Sequence, residues 1–277
     1  MNLPNAMRIK MEKSTKDSLP SRLTKYLSPL IVEKGFSYPW LLEKPIAHRG
    51  SHDDKIPENS LGAFKRSIEL GLPIELDVHL LKDNKVVVFH DEELERLTGV
   101  KGMISHCDSK MIKDFRLLGT NEPVPLLSDV LDLVNDQVPI ILEIKNTDYD
   151  GRLEDCVCDL LKNYNGRVAI QSFNPLSLIH CRKKAPERPR GILTAAEYDD
   201  LPFYKRWVLN SYLLLPRVKP SYIAHECASL DFLSLKTFRK LELIPIIAWT
   251  IRSESDLDFA QQRCQNVIFE NLTYPFR

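Results

Sequence analysis

Neither sign of charge prevails in this chain: 38 Lys and Arg residues are matched by 38 Asp and Glu residues, for a net charge of zero. That balance gives no global reason to expect nucleic acid as a partner. Long apolar runs are missing too. The longest, such as Ile244–Ala248, have the length of a strand, so no membrane span is expected. The six cysteines (107, 156, 158, 181, 227 and 264) have neither disulfide-framework nor zinc-site spacing and read as reduced thiols. The amino-terminal residues lack the basic-then-apolar layout of a secretory signal, which makes a cytoplasmic location the expectation. No Gly-x-Gly-x-x-Gly turn follows an early strand, which argues against a doubly wound nucleotide-binding sheet. Internal repeats and low-complexity segments are absent as well.

What is present is length, core and rhythm. The chain has 277 residues, 43% of them apolar. Residues 1–44 read as an amino-terminal leader in which Leu23, Tyr26, Leu27, Leu30 and Ile31 recur at helical spacing before Pro39 interrupts. A short helix packed on the main domain is the expectation for it. Peripheral membrane contact through this basic, apolar stretch is the less favoured alternative. From residue 45 to 277 short β-branched runs recur at 45–48, 73–80, 85–91, 138–145, 167–173, 189–193, 222–226, 243–250 and 266–270. Amphipathic segments separate many of them, such as Leu61, Phe64 and Ile68, or Leu127, Val130, Leu131 and Val134. Nearly continuous apolar strands alternating with helices indicate a parallel sheet covered by helices. Roughly eight such units in about 230 residues predict a single-domain (β/α)8 TIM barrel of the α/β class.

Barrels carry their chemistry at the carboxyl ends of the strands. Those ends read His48-Arg49, Glu75-x-Asp77, His90-Asp91, Glu143-x-Lys145, Gln171-Ser-Phe173 and Trp249-Thr250. Side chains two apart on a strand share a face, so Glu75 points with Asp77 and Glu143 with Lys145. Burying such charges is costly unless they meet partners or a cation. Three carboxylates near two histidines suggest one hard divalent cation, Mg²⁺ or Ca²⁺ rather than zinc. Arg49 and Lys145 would hold an anionic substrate, and an arginine fork suits phosphate. Two histidines, a cation and two bases make a set for phosphodiester cleavage, one histidine taking a proton and the other giving one.

The motifs AHRG…PENSLGAF, IELDVHLLKD, VVVFHDEELERLTG, PIILEIKN, QSFNP and IIAWTI, in this order from about residue 45, resemble the glycerophosphodiester phosphodiesterase family. The resemblance implies a TIM barrel and cation-dependent cleavage of small-molecule glycerophosphodiesters to glycerol 3-phosphate and an alcohol. It implies His48 and His90 as the acid/base pair, Glu75, Asp77 and Glu143 as metal ligands, and Arg49 and Lys145 as phosphate-binding groups. Glu58, in the PEN motif, resembles a residue close to metal and substrate, and attack by a neighbouring glycerol hydroxyl implies a cyclic phosphate intermediate. The segment 100–123 is shorter than the insertion many bacterial members carry there. Near the end, Glu270 and Asn271 stand where that family commonly has Asp, a position read as mainly structural.

Other readings stay open beside this one. A lysophospholipase D on the same barrel is the near alternative, and a non-catalytic barrel binding phosphate esters or a protein is the distant one. Gln171, Phe173 and Trp249 are candidates for lining the pocket, with core packing as the plain alternative. His79 shares the face of Glu75 and Asp77 and is expected beyond the strand end. His52, His106, His180 and His225 read as surface or local structural residues, and Asn59 or Ser60 as a helix N-cap.

Overall fold

The computed structural model describes residues 38–146, 149–196, 214–241 and 243–276. The leader reading therefore falls outside the described residues for 1–37. Among the described residues nine strands form one sheet: β1 (Ile46–Ala47), β2 (Ile74–Leu80), β3 (Val86–Val88), β4 (Ile140–Ile144), β5 (Val168–Ser172), β6 (Arg190–Thr194), β7 (Tyr222–Glu226), β8 (Ile246–Ile251) and β9 (Asn266–Phe269). Eight of them are parallel, and β1 closes the barrel by pairing with β2 at Ala47↔Ile74 and with β9 at Ile46↔Ile268. The major helices are α1 (Leu61–Leu70), α2 (Leu127–Val134), α3 (Arg152–Lys162), α4 (Pro175–Lys184), α5 (Leu233–Lys240) and α6 (Glu254–Gln261). The fold is the expected TIM barrel.

One strand departs from the sequence reading. The apolar run at 85–91 belongs by its pattern with the parallel strands, but β3 runs antiparallel to β2, pairing Val88 with Val78 and Val86 with Leu80. The reason is unequal strand length. β1 has two residues and β2 seven, so the upper edge of β2 has no neighbour in β1 and takes its hydrogen bonds from a returning hairpin. Alternating apolar residues cannot distinguish a barrel stave from a hairpin arm, because both present period two.

Period two also divides the side chains into layers. Ile74, Leu76 and Val78 face outward with Ile140, Leu142 and Ile144 to join Phe64, Leu127, Val130 and Val157 in the main core. Inside, Ile46, Ile141, Ala169, Leu193, Ala224, Ile247 and Ile268 surround Tyr222, and Leu41 joins them. A third cluster of Leu81, Phe89, Leu94, Leu97, Ile104 and Leu117 supports the hairpin excursion separately. Tyr222 fills the barrel axis only because Gly191 stands beside it: a Cβ there would lie 2.2 Å from the Tyr222 ring. Gly191→Ala is therefore expected to destabilise the protein by about 1–3 kcal/mol through overpacking, measured by urea denaturation.

His225, read as a local structural residue, is buried between hydroxyls, with Thr194 Oγ1 at 2.7 Å and Ser229 Oγ at 2.9 Å. Burial pushes its imidazole down from 6.5 to about 4. The unfolded chain then binds the extra proton first. Stability from this group is fully present above pH 6.5 and is lost as pH falls toward about 4. The loss amounts to about 3 kcal/mol. Denaturation curves of the protein and of His225→Gln across that window should converge at low pH.

Candidate active site

The first loop begins with two left-handed residues, Arg49 (φ 54°) and Gly50 (φ 78°). Gly50 is needed for space as well, since a Cβ there would lie 2.9 Å from Ala63 Cβ on α1. The turn aims the Arg49 backbone N–H at Glu75, where it donates to Oε2 over 3.1 Å. It also brings the Arg49 guanidinium to 3.4 Å from Asp77 and lets it donate to Glu58 over 2.6 Å. The loop closes as Asn59 N donates to the Arg49 carbonyl, after which Ser60 caps α1 by accepting from Ala63 N. Asn59 is not the cap. It is itself left-handed (φ 55°), and its side-chain amide donates to Asp77 Oδ2 over 2.9 Å.

Glu75, Asp77 and Glu143 converge between β2 and β4. Glu75 lies near the start of β2 and Asp77 at its middle, because β2 runs on past them to Leu80. Asp77 is the register partner of Glu143, near the carboxyl end of β4. Each offers a carboxylate oxygen within 4.8 Å of the other two, and all three are buried. Lys145 spans the group, 2.8 Å from Glu143 and 3.3 Å from Asp77. Burial would raise the Asp77 carboxyl, but Lys145, His90 and Arg49 outweigh it and hold it below the usual carboxylate range. For Glu75 the balance is opposite: burial, then Asp77 and Glu143, push it well above that range. Glu143 is also raised, mainly by burial. Three buried carboxylates against Arg49 and Lys145 leave surplus negative charge, and an all-oxygen donor set of that kind fits a hard divalent cation.

His48 Nε2 lies 4.0 Å from Glu75 Oε2. Its Nδ1 is hydrogen-bonded to Glu270, which also accepts from Arg252 Nε over 2.6 Å. Burial raises the Glu270 carboxyl, but the bond from His48, the nearby His52 and the bond from Arg252 prevail and keep it ionised. An ionised carboxylate only accepts, so His48 donates from Nδ1 and keeps the Nε2 lone pair. His90 is treated alike: its Nδ1 donates to Asp91 over 2.6 Å. Burial alone would raise Asp91; bonds from Arg96 and His90 take it down to about 2. Both imidazoles are held below their ordinary value, chiefly by burial.

The structure thus brings together His48, Arg49, Glu58, Glu75, Asp77, His90, Glu143 and Lys145. His90 arrives by the hairpin, whose return is pinned by Phe89 N donating to the Asp77 carbonyl over 3.0 Å. His79 lies inside β2, buried, with Nε2 on the His90 carbonyl at 3.0 Å. Phe173 and Trp249 meet edge to face at 5.6 Å, half-buried at the barrel mouth. Gln171 does not line a pocket. It is 1% exposed, donates to Glu75 over 3.4 Å and accepts from the Tyr222 hydroxyl over 3.2 Å. Four residues at the site were given no part in its chemistry by the sequence reading. Glu270, read as mainly structural, contacts His48, while Asn59 supports Asp77, Asp91 accepts from His90, and Arg96 joins Asp91 to Glu58. Glu270 could have been found, because it directly follows β9, two residues after the inward-facing Ile268.

A parallel barrel with buried carboxylates, two carboxylate-held histidines and two bases at its strand ends defines an enzyme of the phosphoric diester hydrolase class. The profile of the Glycerophosphoryl diester phosphodiesterase family matches residues 48–270, and the chain belongs to that family. It is 39% identical over 183 residues to a glycerophosphodiester phosphodiesterase of Caldanaerobacter subterraneus, a span covering 62% of this chain and 74% of that one. It is 35% identical over 137 residues to a human lysophospholipase D, covering 45% of this chain and 42% of the relative. Among solved structures, a glycerophosphodiester phosphodiesterase of Thermotoga maritima superposes with a TM-score of 0.65 at 25% identity, covering 82% of this chain and 94% of that one. A phosphodiesterase of Oleispira antarctica gives a TM-score of 0.67 at 23% identity, covering 83% and 93%, and shares the fold.

Proposed function

We propose that this protein hydrolyses water-soluble glycerophosphodiesters to sn-glycerol 3-phosphate and an alcohol, with a divalent cation, Mg²⁺ or Ca²⁺, held by Glu75, Asp77 and Glu143. The observation that carries this reading is the convergence of those three carboxylates within 4.8 Å of one another beside His48 and Lys145. When bound, the cation supplies charge stabilisation for the phosphoryl oxygens. Arg49 and Lys145 bind the phosphate and orient it. His48 and His90, each with a proton fixed on Nδ1, present Nε2 for proton transfer. One, neutral, takes the proton of the neighbouring glycerol hydroxyl on its Nε2 as the oxygen attacks phosphorus; the other, entering the step with Nε2 protonated as well, gives that proton to the departing alcohol. Attack within the same molecule gains from proximity and implies a cyclic phosphate, which water opens with the proton transfers reversed. Six free cysteines support a reducing, cytoplasmic setting.

A second reading has an observation of its own. Leu176, Phe232 and Leu233 are exposed, Leu233 at 79%, where α4 and α5 begin on the carboxyl side of β5 and β7. An apolar rim on the active face suits an acyl chain and favours a lysophospholipase D. Turnover of glycerophosphocholine, glycerophosphoethanolamine and lysophosphatidylcholine, each with Mg²⁺, Ca²⁺ or chelator, separates the two. Cleavage of the deacylated esters with added cation is expected. Cleavage of the acylated substrate alone overturns the first reading in favour of the second.

A further inference from the structure

The two arms of the site stand on different foundations. Arg49 and Glu58 belong to the loop that joins β1 to α1, whereas His90 and Asp91 stand on the separate apolar cluster of Leu94, Leu97 and Ile104. A main-chain bond ties the hairpin to β2 at Asp77 and the His79 ring bonds the His90 carbonyl, but among the described residues no main-chain bond joins the hairpin to the first loop. A side chain spans the gap instead. Arg96 donates from Nε and Nη2 to the two Asp91 oxygens over 2.6 and 2.8 Å, and from Nη1 and Nη2 to the two Glu58 oxygens over 3.0 and 2.8 Å. Glu58 continues to Arg49 over 2.6 Å, and Asp91 to His90 over 2.6 Å.

We propose that Arg96 is a positioning residue that locks the His90 arm to the Arg49 arm, setting the proton-transfer group against the phosphate-binding group. The inference rests on the roles given above to His90 and Arg49. Arg96 touches neither the carboxylate cluster nor either histidine; it acts through Asp91 and Glu58. A planar guanidinium can serve two carboxylates at once, and an ammonium cannot reproduce that fork. Being about half exposed, Arg96 can be replaced without opening the core. Glu58 thereby acquires a structural role, with both its oxygens engaged by arginines.

The test joins turnover to a direct view of His90. In the full chain with ¹⁵N-labelled histidine, the long-range proton–nitrogen spectrum, assigned with His90→Gln, should show His90 protonated on Nδ1. In Arg96→Met that signal should move toward the mixture of a free imidazole. The kcat for a glycerophosphodiester should fall about tenfold or more, with KM changed less than about threefold. Arg96→Lys should recover only part of the loss, and adding Asp91→Asn to Arg96→Met should cost little more, because both break one chain of contacts. An unchanged His90 spectrum in Arg96→Met, or losses that multiply in the double variant, overturns the proposal. Absence of turnover in the unaltered protein would sink the functional reading instead, while the spectrum would still decide the tie.

Discussion

Replacing His48 with alanine should lower kcat for glycerophosphodiesters by about 10²–10⁴-fold, with the circular dichroism spectrum and melting temperature nearly unchanged. The expectation follows from the geometry of one imidazole. Its Nδ1 proton is committed to Glu270, an ionised carboxylate anchored by Arg252, so only Nε2 is left for chemistry. That nitrogen stands 4.0 Å from Glu75, at the edge of the acidic cluster. His90→Ala should cost a comparable factor, since its Nδ1 is committed to Asp91 in the same way. His52 provides the contrast. It lies 3.7 Å from Glu270 on the same rim but contacts none of the three clustered carboxylates, so His52→Ala should cost less than about tenfold. Glu270→Gln should fall between, because an amide still accepts the Nδ1 proton but fixes the tautomer less firmly. Equal turnover by the His48→Ala variant would remove His48 from the proton-transfer role.

Glu75→Gln should abolish turnover and yet raise the melting temperature of the chelated protein at neutral pH. Among the described residues, Glu75 is the carboxylate of the cluster with no lysine or arginine side chain in ion-pair contact, and burial with two like charges lifts its carboxyl well above the usual range. The sign follows from linkage. Where the folded value exceeds the unfolded one, the folded protein binds the extra proton, and its stability falls as pH rises from about 4.5 through the raised value. The metal-free protein should therefore lose stability over that window, and Glu75→Gln should lose less. A cation occupying the site reverses the penalty. At a hundred times its dissociation constant it contributes about 2.7 kcal/mol, a rise of about 5–10 °C for a domain of this size. Thermal melts with Mg²⁺, Ca²⁺ and chelator check both statements. A melting temperature and turnover indifferent to chelator would exclude the cation from the mechanism.

The barrel and much of its site were legible because both follow from short-range periodicities. Alternation placed Glu75 with Asp77 and Glu143 with Lys145, and the barrel rule put both pairs at the same end of the sheet. Three-four spacing located α1 and α2 correctly from Leu61, Phe64 and Ile68, and from Leu127, Val130, Leu131 and Val134. Asn59 shows where such reasoning stops. A polar residue before a helix looks like a cap, yet its left-handed backbone turns the amide onto Asp77, 18 residues later. Gln171 fails for the related reason that a strand-end position does not tell how deep in the barrel a side chain sits. With Tyr222 plugging the axis below it, Gln171 became a buried support for Glu75.

By itself the sequence determined what repeats locally: strands, helices, which residues share a face, and an excess of charge at strand ends that calls for partners. Only the tertiary structure decided how those ends close on one another. It reversed β3 and so delivered His90 beside Asp77, and it joined the first loop to the last strand, putting Glu270 on His48 across 222 residues. It also strung Arg96 between Asp91 and Glu58. Each of these pairings depends on the curvature that brings β9 back to β1 and on the unequal lengths of β1 and β2. Closure is a property of the whole sheet, with no local pattern to carry it.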